Sequence, residues 1–219
     1  MNPPMIYRTL ANESELRALW EFDHLSYGDA GLPWENLLAW WSAFPEGLHG
    51  AFAGDEIVGA VGMWPPSSAK YAGLVVGSVA EEDITAGDFL IRSSMRRHWY
   101  ISGIVLREDW RRTGPIGALI FTAVEHLGSL ANLERIDVCA IGSTKEGRRM
   151  LQRFGFQFRN TATPDGHPIY VSSDMMLDLA LGEKSVPVSS PNFRYETSLR
   201  RSFSSGDPFS DLDDLRIGV

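Results

Sequence analysis

The sequence predicts a mixed α/β fold, a central mixed sheet with helices packed on both faces. Three observations predict it. Apolar β segments and stretches of helical periodicity follow one another as strand, two helices, hairpin, strand, helix, strand, helix and strand. Hydrophobic residues make up 44% and charged residues 22%, with seven Trp and eleven Phe, enough apolar material for a real core. At 219 residues the chain suits one decorated domain.

The first strand runs from about Ile6 to Leu10. Asn12 or Ser14 then caps a helix whose Leu16, Leu19, Trp20 and Phe22 to His24 form a broad apolar stripe. Pro33 opens a second helix carrying Leu37, Leu38, Trp40 and Trp41, which ends by Pro45. Leu48 to Ala53 and Ile57 to Trp64 flank the turn composition Gly54-Asp55-Glu56 and read as an antiparallel hairpin. Residues 65–97 are irregular, with a helix near Ala69 to Val76 and an acidic turn at Glu81-Glu82-Asp83. They read as an insertion, and loops of this length often cover a site, as a lid would.

His98 to Leu106 is the most strand-like run. Gly114 to Leu130 is the most helix-like, with Ile116, Leu119, Ile120, Ala123, Val124 and Leu127 on one face. Arg135 to Ile141 reads as a strand, Ser143 to Phe154 as a helix begun by the capping-box spacing Ser143-Thr144-Lys145-Glu146, and Gly155 to Asn160 as a strand. The domain is therefore drawn at 1–181, with 182–219 a Ser- and Pro-rich tail.

Twenty Lys and Arg against twenty-eight Asp and Glu give a charge of −8, which argues against nucleic acid as partner. The single Cys139 excludes an internal disulfide, and five scattered His without metal-ligand spacing predict no metal site. Met1-Asn2-Pro3-Pro4-Met5 shows no signal peptide, and Pro65-Pro66 and Lys70 interrupt the longest weakly charged stretch, so no membrane span is expected. These features predict a cytoplasmic protein; oligomeric state stays open, a homodimer among the options.

The chemistry-bearing unit is Ile104-Val105-Leu106-Arg107-Glu108-Asp109-Trp110-Arg111-Arg112-Thr113-Gly114-Pro115-Ile116-Gly117-Ala118-Leu119-Ile120. An apolar strand enters a basic turn, and glycines open an apolar helix. Backbone N–H groups at such a helix start, with Arg111 and Arg112 beside them, make an anion cradle.

Here the chain resembles the GNAT N-acetyltransferase superfamily, whose signature is Arg/Gln-x-x-Gly-x-Gly/Ala after a central strand and a later Gly-Phe pair. Arg111-Arg112-Thr113-Gly114 supplies the first half and Met150-Leu151-Gln152-Arg153-Phe154-Gly155-Phe156 the second. The resemblance covers roughly 98–160, and Ile6 to Trp64 fits the family's opening order. Three positions depart from the pattern: Ile116 stands for the second Gly with Gly117 one step on, Leu151 where many members carry a general-acid Tyr, and Thr144 where Asn is common.

What the resemblance implies is a GNAT-like sheet split by an acyl-CoA cleft between the strands at 98–106 and 135–141, with acetyl-CoA as co-substrate. The pantetheine arm would pair near Ile104 and Leu106. Pyrophosphate would lie on Arg111, Arg112, Thr113, Gly114, Ile116, Gly117 and Ala118, with Thr144 bordering the same cleft. A small-molecule or peptide amine would attack the thioester directly, with the Ile104 N–H as oxyanion donor. An alkylamine needs a base at neutral pH. His98 and Tyr100 rank first for that chemistry, since alternation places them with Ser102 on the face of Ile104. His24 and Tyr27 border the acceptor side. The acidic turn at Glu81 reads as solvated, with recognition of a cationic acceptor as the alternative. His126 reads as lying on an outer helix face without a role. Longer acyl donors on coenzyme A or a carrier protein, and a catalytically weak acyl-CoA sensor or scaffold, are the competing functions.

Overall fold

The computed structural model describes residues 4–28, 31–90, 98–111, 115–131 and 136–172. Strand β1 (Met5–Thr9) is followed by helices α1 (Glu13–Tyr27) and α2 (Trp34–Ala43), then by the hairpin β2 (Leu48–Ala53) and β3 (Glu56–Trp64). Helix α3 (Ser68–Val75) precedes β4 (His98–Leu106), α4 (Pro115–Ala131), β5 (Asp137–Ile141), α5 (Lys145–Arg153), β6 (Gln157–Ala162) and β7 (Pro168–Ser172). Asn12 caps α1 by accepting from the Glu15 N–H at 3.0 Å, as its sequence position predicts.

Among the described residues the strands form one sheet in the order β1-β2-β3-β4-β5-β7-β6. Only β4 and β5 pair in parallel; the other neighbours are antiparallel. Strand β7 was not among the predicted elements. It lies between β5 and β6, turning the last hairpin back into the sheet.

Helices cover both faces. On one, His49 of β2 reaches His126 of α4, and α4 buries Leu119, Ile120, Ala123, Val124 and Leu127. On the other, Trp64 packs edge-on against Trp40 of α2 at 5.2 Å, and Tyr71 of α3 stacks on His98 at 4.4 Å.

Two irregularities make the site. Pairing of β4 with β5 begins at His98↔Asp137 and stops at Ile101↔Ala140, while β4 stays on β3 as far as Leu106↔Gly59. The sheet therefore opens beyond Ile101. At the same place the β3–β4 register slips: Gly62 pairs with Gly103, but Met63 pairs with Ile101, leaving Ser102 as an extra residue. A bulge of this kind bends its strand and raises the local twist, which turns β4 away from β5.

The segment after β3 is pinned to the core rather than hung on it. Its ends meet through an antiparallel bridge between Pro66 and Phe89, with Ser67 N–H on the Asp88 carbonyl and Leu90 N–H on the Pro65 carbonyl, both at 2.8 Å. Phe89 stacks on Trp64 at 5.5 Å, and the Trp40 indole donates to the Ile84 carbonyl at 3.2 Å. Residues 91–97 of the predicted insertion, and the whole predicted tail, lie outside the described residues.

Candidate active site

The opening between β4 and β5 leads into a cleft of about 1040 Å³, its open mouth included. Leu19, Asp23 and Tyr27 reach it from α1, and Leu32 and Leu37 from the entry to and body of α2. Gly62 and residues 101–105 form its strand wall, and Ser143, Thr144, Gly147, Met150 and Leu151 line the α5 side.

Backbone geometry defines what the strand wall offers. The Arg107 N–H donates to the Val58 carbonyl at 2.8 Å, so alternation turns the polar groups of Leu106 and Ile104 to the other edge, into the opening. Two side chains confirm that direction. The Tyr27 hydroxyl donates to the Ile104 carbonyl at 3.0 Å, and Arg111 Nε donates to the Leu106 carbonyl at 2.9 Å. A strand edge with no neighbouring strand, its two carbonyls held only by side chains, suits an amide-bearing chain that pairs as an added strand.

The side chains facing this edge include two carboxylates. Glu81 sits in the short 3-10 turn Glu81–Asp83 and accepts from the Tyr100 hydroxyl at 2.8 Å. Burial pushes its carboxyl up to about 7, against the lowering effect of the Tyr100 hydrogen bond. Burial likewise raises Asp23 to about 6. The Tyr27 phenol is pushed up to about 12, first by burial and then by the neighbouring Asp23, with Arg111 acting the other way. Perturbed groups converging in one cleft mark a functional site.

The predicted residues separate on this geometry. Ile104 faces the cleft, and Leu106 shares its open edge. Arg111 is engaged with the Leu106 carbonyl, and Arg112, Thr113 and Gly114 lie outside the described residues. Pro115 occupies the first turn of α4, where its missing N–H costs nothing; Ile116, Gly117 and Ala118 follow it there. Thr144 lines the cleft, with its hydroxyl accepting from the Gly147 N–H at 3.0 Å as the α5 cap.

His98 does not line the cleft. It begins β4 at the closed end of the split, 3.3 Å from the Ser68 hydroxyl and 4.0 Å from the Asp137 carboxylate. The bulge at Ser102 is also why alternation counted through it does not put Ile104 on the face of Tyr100. Tyr100 is buried and acts on the cleft through Glu81. His24 stacks on Trp20 at 5.2 Å, whereas Tyr27 enters the cleft.

Two further expectations are corrected. The acidic turn is not uniformly solvated, because its anchoring turns Glu81 inward while Glu82 and Asp83 stay exposed. His126 is not on a bare outer face: its Nδ1 lies 2.9 Å from Nε2 of the buried His49. Trp40 and Trp64 are core residues, and among the described residues no Trp lines the cleft. Cys139 is buried, and burial pushes its thiol up, away from nucleophilic use. Asp23 had no sequence signal beyond its helix position, one turn before Tyr27.

A seven-stranded mixed sheet that splits between two parallel neighbours, with helices on both faces, places the chain among α/β proteins with an open strand edge at the centre of the sheet. The chain belongs to the Acetyltransferase (GNAT) family, whose model matches residues 13–156. Among solved structures, the loading GNATL domain of CurA from Lyngbya majuscula superposes with a TM-score of 0.60 at 13% identity, over 80% of this chain and 99% of that one. Ard1 from Thermoplasma volcanium gives 0.53 at 14%, covering 78% and 97%. Diaminobutyrate acetyltransferase EctA from Paenibacillus lautus, in complex with L-2,4-diaminobutyric acid and coenzyme A, gives 0.50 at 13%, covering 79% and 96%. No curated protein matches the chain. Among the described residues no helix is long and apolar enough to cross a membrane, and no group of three or more His, Cys, Asp and Glu stands together as a metal site.

Proposed function

We propose that the protein is an acyl-CoA-dependent N-acyltransferase that moves an acetyl group from acetyl-CoA to an amine by direct attack. The observation that carries this reading is the open β4 edge at Ile104 with two proton-accepting carboxylates facing it in one cleft. The thioester's pantetheine amides add to the edge as a short strand, and the Ile104 N–H stabilises the oxyanion of the tetrahedral intermediate. Its pyrophosphate lies at the start of α4, beside Arg111, Ile116, Gly117 and Ala118.

Glu81 takes the proton that the neutral amine's nitrogen sheds once it has attacked the thioester. A base near 7 is matched to that task at neutral pH, whereas an unperturbed carboxylate is too acidic. Tyr100 is the positioning residue that holds Glu81 in the cleft. Holding thioester and amine together removes much of the entropic barrier of a bimolecular step. The EctA complex, a relative of the same fold holding an amine and coenzyme A, is in keeping with this reading.

A second reading keeps the site and lengthens the acyl group. Leu19, Leu32, Leu37 and Leu48 give the cleft an apolar wall that an acetyl group alone does not use. Titration calorimetry with coenzyme A, acetyl-CoA and octanoyl-CoA, followed by thiol release on a panel of amines, tests both. Micromolar binding of acetyl-CoA with amine-dependent thiol release supports the first. Release from octanoyl-CoA alone favours the second, and no binding of any of the three refutes both.

A further inference from the structure

Helix α5 carries Lys145, Arg148, Arg149 and Arg153 against a single acid, Glu146, a surplus of +3 in a chain whose total is −8. The two faces of the helix differ sharply. Gly147, Met150 and Leu151 line the cleft, and Phe154 is buried with them. Lys145, Arg149 and Arg153 are exposed on the opposite face, four residues apart, in a row about 12 Å long. The row does not serve the fold. Like charges four apart on a helix repel, and Lys145 in the first turn opposes the helix dipole. Among the described residues none of the three has an ion pair or a hydrogen bond.

The row starts at the rim of the cleft. Ser143 is exposed and lines the cleft, Thr144 follows it there, and Lys145 is the next residue. The acceptor side carries the carboxylates Asp23 and Glu81, and among the described residues no cation lines the cleft itself. An anionic body approaching the mouth is therefore drawn to α5 and kept away from the acceptor side.

The start of α4 indicates what that body carries. The helix begins at Pro115, which has no N–H; the helix loses nothing, but a phosphate loses one of the donors that a helix start offers. Arg111 Nε is already engaged with the Leu106 carbonyl at 2.9 Å. A diphosphate, with more oxygens to satisfy, suffers more from this than a single phosphodiester. The open β4 edge, by contrast, suits the pantetheine arm whatever bears it.

Resting on the acyl-transfer reading above, we propose that Lys145, Arg149 and Arg153 dock the acidic surface of an acyl carrier protein, whose phosphopantetheine arm threads the cleft to Ile104. Coenzyme A is then the weaker donor of the same arm. Charge attraction over α5 supplies the affinity that the adenosine diphosphate end supplies in coenzyme A. After transfer the carrier departs on the α5 side with a free thiol, and the amide leaves from the acceptor side.

The test compares acetyl-CoA with an acidic acyl carrier protein loaded with acetyl-phosphopantetheine, on one amine, by thiol release. In the wild type kcat/KM for the carrier should exceed that for acetyl-CoA by about tenfold at low salt and fall steeply as salt is added. Lys145→Glu, Arg149→Glu and Arg153→Glu combined should lower kcat/KM for the carrier on the order of 100-fold, through KM, and leave acetyl-CoA within about twofold. The retained acetyl-CoA activity shows that the variant is folded. A carrier no better than acetyl-CoA overturns the assignment. Equal losses with both donors give the row to the phosphates of coenzyme A and overturn it as well. Vesicles of anionic lipid are the control: vesicle binding lost in the variant, with carrier transfer unchanged, gives the row to a membrane surface instead. Release from acetyl-CoA alone refutes only the docking, whereas no release from either donor with any amine refutes the acyl-transfer reading itself.

Discussion

Replacing Tyr100 by Phe removes one oxygen and should move the pH dependence of catalysis in a calculable direction. The Tyr100 hydroxyl donates to Glu81 at 2.8 Å and is what pulls the Glu81 carboxyl down, against burial and the nearby charges of Asp23, Glu82 and Asp165. A hydrogen bond to a charged group contributes about 1.5–3 kcal/mol. At 1.36 kcal/mol per pH unit its loss raises the proton affinity of Glu81 by roughly 1–2 units. The alkaline rise of kcat/KM, centred near 7 in the wild type, should then move to roughly 8–9. Thiol release measured from pH 5.5 to 9.5 reads this out. The acceptor should be a weakly basic amine, so that its own titration stays off the profile. An unmoved limb with lowered activity would refute Glu81 as the base, since a merely structural Tyr100 changes amplitude and not position.

Two further predictions concern the fold. A methyl group on Gly62 would stand 2.5 Å from the Ser102 hydroxyl, whereas one on its sheet partner Gly103 meets nothing within 4 Å. Gly62→Ala should therefore cost about 1–3 kcal/mol in urea unfolding and Gly103→Ala close to nothing, and equal costs would contradict the bulge geometry. Burial and the neighbouring His126 depress the proton affinity of His49 to about 3. The unfolded chain, titrating near 6.5, then binds more protons below that pH, so stability is complete above 6.5 and falls as pH drops toward 3. The loss from this group is about 2 kcal/mol at pH 5, and His49→Gln should flatten the acid slope by that amount; identical slopes would refute it.

The elements that carry regular periodicity were legible in the sequence. Leu119, Ile120, Ala123, Val124 and Leu127 bury the face of α4 that their spacing predicts, and Asn12 caps α1 where its side chain and position require, whereas α5 is capped one residue later than the Ser143–Glu146 spacing predicts, by Thr144 on the Gly147 N–H. What was not legible depends on register and on contacts distant in sequence. Periodicity of two assigns His98, Tyr100 and Ile104 to one face, but a single extra residue at Ser102 breaks the count, and Gly103, a residue type that often marks a bulge, does not say which neighbour is the extra one. Glu81 looks like any member of an acidic turn. Its inward position is set by Phe89 on Trp64, by Trp40 on the Ile84 carbonyl and by Lys70 on the Asp83 carbonyl at 2.9 Å, contacts that no local pattern encodes. Strand β7 carries little local signal, because its short run, Pro168–Ser172, begins with a residue that weakens strand propensity.

The same anchoring makes the site a source of instability, and that consequence can be measured. A carboxyl titrating near 4.5 in the unfolded chain and at about 7 in the folded one holds more protons when folded across that interval. Its contribution to stability is therefore full below about 4.5 and is lost as pH rises through 7, opposite in sign to the His49 effect. The shift corresponds to roughly 3 kcal/mol, and partial solvent access of the turn reduces it to about 2. Glu81→Gln keeps the shape and one acceptor for Tyr100 while removing the charge. At pH 8 it should raise stability by about 2 kcal/mol, near pH 4.5 the gain should vanish, and acyl transfer should be lost at every pH. A gain independent of pH would mean that shape, not charge, is strained there. No gain would mean that the cleft already solvates the carboxylate, and a solvated Glu81 is too acidic to serve as the base.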